Sequence, residues 1–238
     1  MSWSANILCA TPFSSDANSY AFALSSTPAS DQLILFSYTC GAAGVGNTPT
    51  VSGCGLTWVE VDSTTMSTRR VAIYRAMGTV TSSGPVVISH GSSSQTRAIG
   101  HIQQFFGADT GGTNGSGAIV QANANQMTAV TSSNPGVTLS AFASTANATY
   151  FNAALITLVS TNNTYTFSSA YTVLGSEGTN APVHNQFTMY RDGDDTFPNI
   201  VTTALTIWGA VAAEIKLSTG GAAATFIRAP QLSLLGVS

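Results

Sequence analysis

Four sets of side chains in this chain have the chemistry to act on a ligand. The first is histidine, at His90, His101 and His184. An imidazole titrates near neutral pH and serves as acid, base or metal ligand. His90 and His101 flank the stretch SSSQTRAIG, whose pattern predicts a hairpin that brings them toward each other across two strands. No carboxylate or cysteine stands at ligand spacing from either, so hydrogen-bonded strand histidines are the plainer reading. The second set is Asp192, Asp194 and Asp195 in RDGDDTFPN (191–199). Calcium takes carboxylate and carbonyl oxygens on such a loop, but the spacing departs from the EF-hand pattern. A turn closed by Asx hydrogen bonds uses the same residues. The third is Glu60 and Asp62, two residues apart on one predicted strand face. That separation suits paired glycosidase carboxylates and suits ordinary solvated residues equally. The fourth is Cys9, Cys40 and Cys54, an odd number without CxxC spacing, of which Cys40 and Cys54 bracket a Gly-rich loop. Serines are abundant, yet no GxSxG elbow is present. The sequence therefore predicts no cofactor, no metal and no catalytic site.

The elements that must position these groups are strands. Ser, Thr, Gly and Asn interrupt nearly every helical window, while β-branched and aromatic residues fill the apolar runs. Strands are expected at 19–24, 32–41, 56–62, 69–77, 84–91 and 97–108 in the first half. In the second half they are expected at 136–144, 152–160, 164–175, 185–192 and 202–218. GVGNTP, DSTTMST, TSSG, TNN and DGDD punctuate them as turns. RVAIYRAM sets Val71, Ile73, Arg75 and Met77 on one side and Arg70, Ala72, Tyr74 and Ala76 on the other, the period of a half-buried antiparallel strand. AVAAEIKLS (210–218) is Ala-rich enough for a helix, but it continues ALTIWG and is read as a long core strand. ADTGGTNGSGAI (108–119) reads as a crossover loop.

Composition narrows the function classes. Charged residues are 7% of the 238, and Ser plus Thr supply 62 positions, so hydroxyls and amides must cover the surface. Weak net charge gives weak repulsion between neighbours, which suits a protein packed against others. The net charge is −3, the first 68 residues hold no Lys or Arg, and Arg69–Arg70 is the only adjacent basic pair. Nucleic-acid binding and a membrane-surface role both need clustered cations, so neither is expected. No run of 18 apolar residues exists to span a membrane. MSWSANILCATPFSSD lacks a charged leader and an apolar signal core, so cytosolic folding and reduced thiols are expected.

The two halves answer one another. RRVAIYRAMG (69–78) pairs with HNQFTMYRDG (184–193), LILFSYTCG with VTLSAFAST, and RAIGHIQQFFGAD with ALTIWGAVAAEIK. A sandwich whose halves contribute equivalent strands to both sheets would be written this way. The run STPASDQLILFSYTCGA, TPTVSGCGLTWVEVDS, RRVAIYRAMG, GPVVISHGSSS, RAIGHIQQFFGAD resembles the jelly-roll, lectin-like β-sandwich domain of tailed-bacteriophage virion structural proteins. Gly55, Leu56, Trp58, Tyr74, Arg75, Phe106, Gly107 and Asp109 carry the match. The resemblance implies an all-β, antiparallel, jelly-roll-like sandwich over 19–217, with an N-terminal arm (1–18) and a C-terminal tail (218–238). Family members are head-decoration, head-fibre, tail or adhesion modules, and the motifs are structural rather than catalytic. The implied function is a capsid decoration or cement protein on the virion surface, made in the host cytoplasm, and not an enzyme. Its implied partners are the major capsid protein and its own copies in a homo-oligomer. A receptor-binding, carbohydrate-binding tail or fibre module is the alternative, and a hydrolase grafted on a sandwich is a third reading. Trp3 in the arm and Phe226, Ile227, Leu232, Leu234 and Leu235 in the tail are the candidate partner contacts. Trp58 and Trp208 are expected in the core.

Overall fold

The alternating stretches build two five-stranded antiparallel sheets. The structure, a computed structural model, describes residues 3–41, 48–132, 134–157, 165–168, 170–179, 183–202 and 206–218. The first half supplies β1 (Ser4–Phe13), β2 (Ser19–Phe22), β3 (Leu33–Gly41), β4 (Thr50–Ser52), β5 (Val59–Met66), β6 (Arg69–Ala76), β7 (Val86–Ser89) and β8 (Arg97–Phe106). The second half supplies β9 (Ile119–Ser132), β10 (Ala148–Thr157), β11 (Tyr165–Phe167), β12 (Thr172–Thr179), β13 (Val183–Arg191), β14 (Ile200–Thr202) and β15 (Thr206–Ile215).

The strand orders are β1-β8-β3-β6-β5 and β9-β15-β10-β13-β12, so the second sheet repeats the first strand for strand. Each half also adds a small outer sheet, β2-β7-β4 and β11-β14. Edge β5 packs against edge β9, and β1 against β12, as a two-fold relation between the halves requires. The duplication expected from sequence is therefore present, but each half completes its own sheet instead of sharing strands between both. The chain does not weave between sheets, so the finer jelly-roll expectation finds no support in the strand order.

The Tyr-Arg likeness is not part of this symmetry. β6 and β13 hold the same place in their sheets, yet Tyr74 faces outward beside Phe36 and Tyr38. Tyr190 faces inward against Phe105. The matched letters are one residue out of register, and a one-residue slip moves a side chain to the other face.

Both faces of each main sheet are covered. On β3, Leu33 and Leu35 enter the core between the sheets. Ile34, Phe36, Tyr38 and Cys40 enter a second core under the small outer sheet, with Tyr20, Phe22, Val86 and Ile88. A third core holds Phe151, Leu155, Phe187, Met189, Ile200 and Trp208 on the outer side of the second sheet. Double coverage explains why LILFSYTCG reads as a nearly continuous apolar run. At Gly100 the β8 backbone touches the ring of Phe22, where a Cβ has no room. Gly100→Val should cost about 2–3 kcal/mol by forcing the outer sheet away. A urea midpoint unchanged from the parent would refute that close packing.

Three expectations are corrected here. Residues 1–18 are not an arm: β1 pairs with β8 from Ser4↔Phe106 to Phe13↔Ala98. Trp3 is 7% exposed in the central core and donates its Nε1–H to Ala146 O at 3.1 Å, so it is not a partner anchor. Residues 136–144 are not a strand, and β9, unmarked by apolar alternation, is one. The two departures have one cause. On edge strand β9, Gln121, Asn123 and Asn125 donate side-chain N–H groups to Ser140 O (3.1 Å), Thr138 O (2.8 Å) and Gly136 O (3.0 Å). This ladder of amides satisfies backbone that strand pairing would otherwise satisfy. It also covers an open sheet edge.

Candidate functional site

The sequence-flagged groups do not assemble into one centre. His90 and His101 lie on opposite faces of the first sheet. His90 Nε2 meets Tyr38 OH at 2.8 Å under the outer sheet, while His101 Nδ1 meets Thr188 Oγ1 at 2.8 Å between the main sheets. The expected hairpin does not form: β7 pairs in the small outer sheet and β8 in the main sheet, and His101 faces away from the outer sheet. Glu60 is tied to Arg70 Nη2 at 2.6 Å, and Ser63 donates to it at 2.7 Å. Burial opposes its charge, but the Ser63 and Arg70 bonds outweigh that and hold Glu60 below the usual carboxylate range. A register shift between Glu60 and Asp62 breaks the alternation that would have aligned them. Asp195 accepts from Tyr171 OH at 2.8 Å and Phe197 N–H at 2.9 Å. Among the described residues no three His, Cys, Asp or Glu side chains are grouped to hold a metal. Cys9, Cys40 and Cys54 are buried free thiols. Trp208 is buried, and Trp58 packs partly buried on the first outer core. Phe226, Ile227, Leu232, Leu234 and Leu235 lie outside the described residues.

What the fold does bring together is a polar seam between the two main sheets. Odd-numbered residues of β3 and β8 face even-numbered residues of β10 and β13 across it. Ser37 Oγ lies 2.7 Å from Tyr150 OH, and Tyr150 donates to Gln103 Oε1 at 2.7 Å. Asn152 Oδ1 accepts from Gln186 at 2.9 Å, and Asn152 Nδ2 donates to Ala72 O at 3.3 Å. Thr39 Oγ1 meets His184 Nε2 at 3.0 Å. Every one of these side chains is fully buried. Gly175 leaves the space that the His101 ring fills, since a Cβ there would sit 2.5 Å from Nδ1. Burial alone lowers the His101 pKa to about 3. Burial, then the nearby Arg69 and Arg97 charges, lowers that of His184 to about 3.

A hydroxyl beside a neutral imidazole is a nucleophile-base pair in principle. Here no carboxylate orients either ring, so neither pair has the third member that nucleophilic catalysis uses. The seam instead favours one stacking of the sheets, because its cross-sheet hydrogen bonds form in one relative position, although His101 Nε2, Gln103 Nε2 and Gln186 Oε1 are left without a protein partner.

The seam ends at a cationic rim. Arg97 and Arg69 face Gly41 from its two neighbouring strands, so three inward positions lie in a row. The Arg69 side chain lies over Gly41, with Nε 3.3 Å from where a Cβ would be. Its neighbour Arg70 points to the opposite face and holds Glu60. The period of two already sets Arg70 on the side opposite Val71 and Ile73, and the same period sends Arg69 to the other side.

Fold and site together define a duplicated, four-layer all-β protein with a sealed polar interior and no assembled catalytic centre among the described residues. Comparison with protein-family models, with curated proteins and with solved structures finds no match to this chain.

Proposed function

We propose that this chain is a structural protein of a tailed-phage particle, a decoration or cement subunit that coats and reinforces the head. The observation that carries the reading is a rigid, doubly covered sandwich whose surface is almost free of charge, with charged residues at 7% of the chain. A particle coat needs stiffness and tolerance of close neighbours rather than a reaction centre. Exposed apolar side chains stand on three sheet-edge strands, Ile7 on β1, Val120 on β9 and Val173 on β12, where a neighbouring subunit would bury them. The partners in this reading are the major capsid protein and sister copies on a symmetric lattice. The tail residues Phe226, Ile227, Leu232, Leu234 and Leu235 remain its candidate contacts. The protein acts at the virion surface after synthesis in the host cytoplasm, and the reading involves no catalytic step, cofactor, nucleic acid or membrane.

A receptor-binding tail module is the second reading, and one feature favours it. Phe197 is 45% exposed. It stands beside Asp195 and a hydrogen-bonded pair of amides, Asn199 and Asn134 at 2.8 Å. An exposed ring flanked by acid and amide groups is what sugar stacking uses. Cryo-electron microscopy of the particle carrying this protein separates the two. Symmetric copies on the head lattice are expected. Density confined to the tail or its tip would overturn the coat reading and make Phe197 the first residue to substitute.

A further inference from the structure

We propose that the end of the sandwich where Arg69, Arg97 and His184 meet is a binding site for a small oxyanion. This site is independent of the coat reading. Among the described residues Arg69 is the basic side chain with no hydrogen bond, ion pair or ring contact; its buried Nε has no partner. The other cations are engaged: Arg70 by Glu60, Lys216 by Asp109, Arg191 by Asp195, and Arg75 by the carbonyls of Thr113 and Asn114. Burial and the charge of Arg97 both work against the Arg69 cation. A guanidinium held there without a counter-charge is costly unless an anion joins it.

Two further unpartnered polar atoms belong to neighbours of this row, and the Arg69 and Arg97 charges both act on His184. His184 is fully buried, and with Nε2 against Thr39 Oγ1 its Nδ1 has no partner. If Thr39 donates to Nε2, the proton stands on Nδ1 and is free to be given. Thr179, opposite His184 on β12, has a buried Oγ1 without a partner. Thr179 and Arg97 both line a cleft of about 340 Å³ that opens between β1 and β12, with Pro12, Ser14 and Gly178. Glu177 on the same strand forms no ion pair there. An oxyanion would accept from the Arg69 guanidinium, the imidazole N–H and the hydroxyl, the donor set that charge-assisted recognition uses, with Arg97 adding its positive charge nearby.

The duplication supplies an internal control. At the matching strand ends of the second sheet, β10 ends in Thr157, and β13 and β15 begin with Val183 and Thr206. The architecture does not require arginines at this row; the first half alone carries them.

The test is thermal unfolding of the full chain with sodium phosphate, sulfate or acetate titrated at constant ionic strength held by sodium chloride. The expected result is a saturable rise in Tm with phosphate or sulfate. Preference for acetate instead would keep the site and assign it to carboxylates. Arg69→Gln should fold like the parent, because Arg69 holds nothing in place, and should weaken half-saturation by about tenfold or more. No saturable rise, or the same half-saturation in Arg69→Gln, overturns the site. The His184 imidazole resonances of the parent protein give a second reading that needs no variant. They should shift with the same half-saturation, and resonances unmoved while Tm rises would assign the effect to general salt stabilisation and also overturn it.

Discussion

Lowering the pH from 7 to 5 should remove a large part of the folding stability of this protein. His90, His101 and His184 are all buried in their neutral forms, with pKa values lowered to about 4, about 3 and about 3. Burial is the main cause in each, reinforced at His90 by the Arg70 charge and at His184 by Arg69 and Arg97. In the unfolded chain each imidazole takes up a proton near pH 6.5. The unfolded state therefore binds more protons between that pH and the folded values, and stability rises with pH over this window. It is fully present above about pH 6.5 and falls away as the pH drops toward 4. Each histidine contributes a loss of about 2 kcal/mol by pH 5, so the three together remove about 6 kcal/mol. Domains of this kind hold about 5–15 kcal/mol in total. Calorimetry in phosphate-free buffers from pH 8 to 4 measures this directly. His90→Gln keeps a partner for Tyr38 OH and should flatten the slope by roughly one third, the share of one of three equal sites. A Tm that hardly moves between pH 7 and 5 would show that the histidines are not held neutral.

Replacing Glu214 by Ala should be the most damaging truncation of a charged side chain on the second sheet. Glu214 lies fully buried on β15. Its Oε1 accepts from Ala143 N–H at 2.9 Å and Asn147 Nδ2 at 2.6 Å, and its Oε2 accepts from Gln121 Nε2 at 2.7 Å. These donors come from β9 and from the segment that crosses the outer face of the sheet. The carboxylate thus ties the amide-covered edge to the centre of the fold. Removing it leaves the buried Asn147 Nδ2 and the partly buried Ala143 N–H without that acceptor, while Gln121 Nε2 keeps Ser140 O, an expected loss of about 2–4 kcal/mol. Glu214→Gln keeps one carbonyl oxygen but turns an N–H toward Gln121, so a smaller loss of about 1–3 kcal/mol is expected. Urea unfolding of both variants measures the difference. An Ala variant within about 1 kcal/mol of the parent would mean that the outer segment is held by Val137 and Leu139 packing alone.

Most strands were legible in the sequence because period-two alternation is a local property. VAIYRAM, RAIGHIQQFF and TIWGAVAAEI became β6, β8 and β15 as the pattern implies. β9 was not legible, because its alternating Gln and Asn side chains look like loop chemistry until their acceptors are known. β1 was missed for a related reason: Thr, Asn and Ser dilute its apolar positions, and only pairing with β8 makes it a strand.

The candidate sites show the same boundary more sharply. The histidines, carboxylates and cysteines were visible as residue types, but their partners lie far along the chain. Thr39 and His184 are 145 residues apart, and Ser37 and Tyr150 are 113 apart. Arg69 and Arg70 are neighbours in sequence and point to opposite sides of a sheet.

Alternation along a strand fixes which residues share a face; it carries no record of what covers that face. That is why strand composition, the antiparallel all-β class and the low-charge surface follow from the chain itself. Which half forms which sheet, which faces lie between layers, and which arginine is left without a counter-charge depend on long-range pairing and layer stacking. A shift of one residue in that pairing would have exchanged the polar seam for the outer cores.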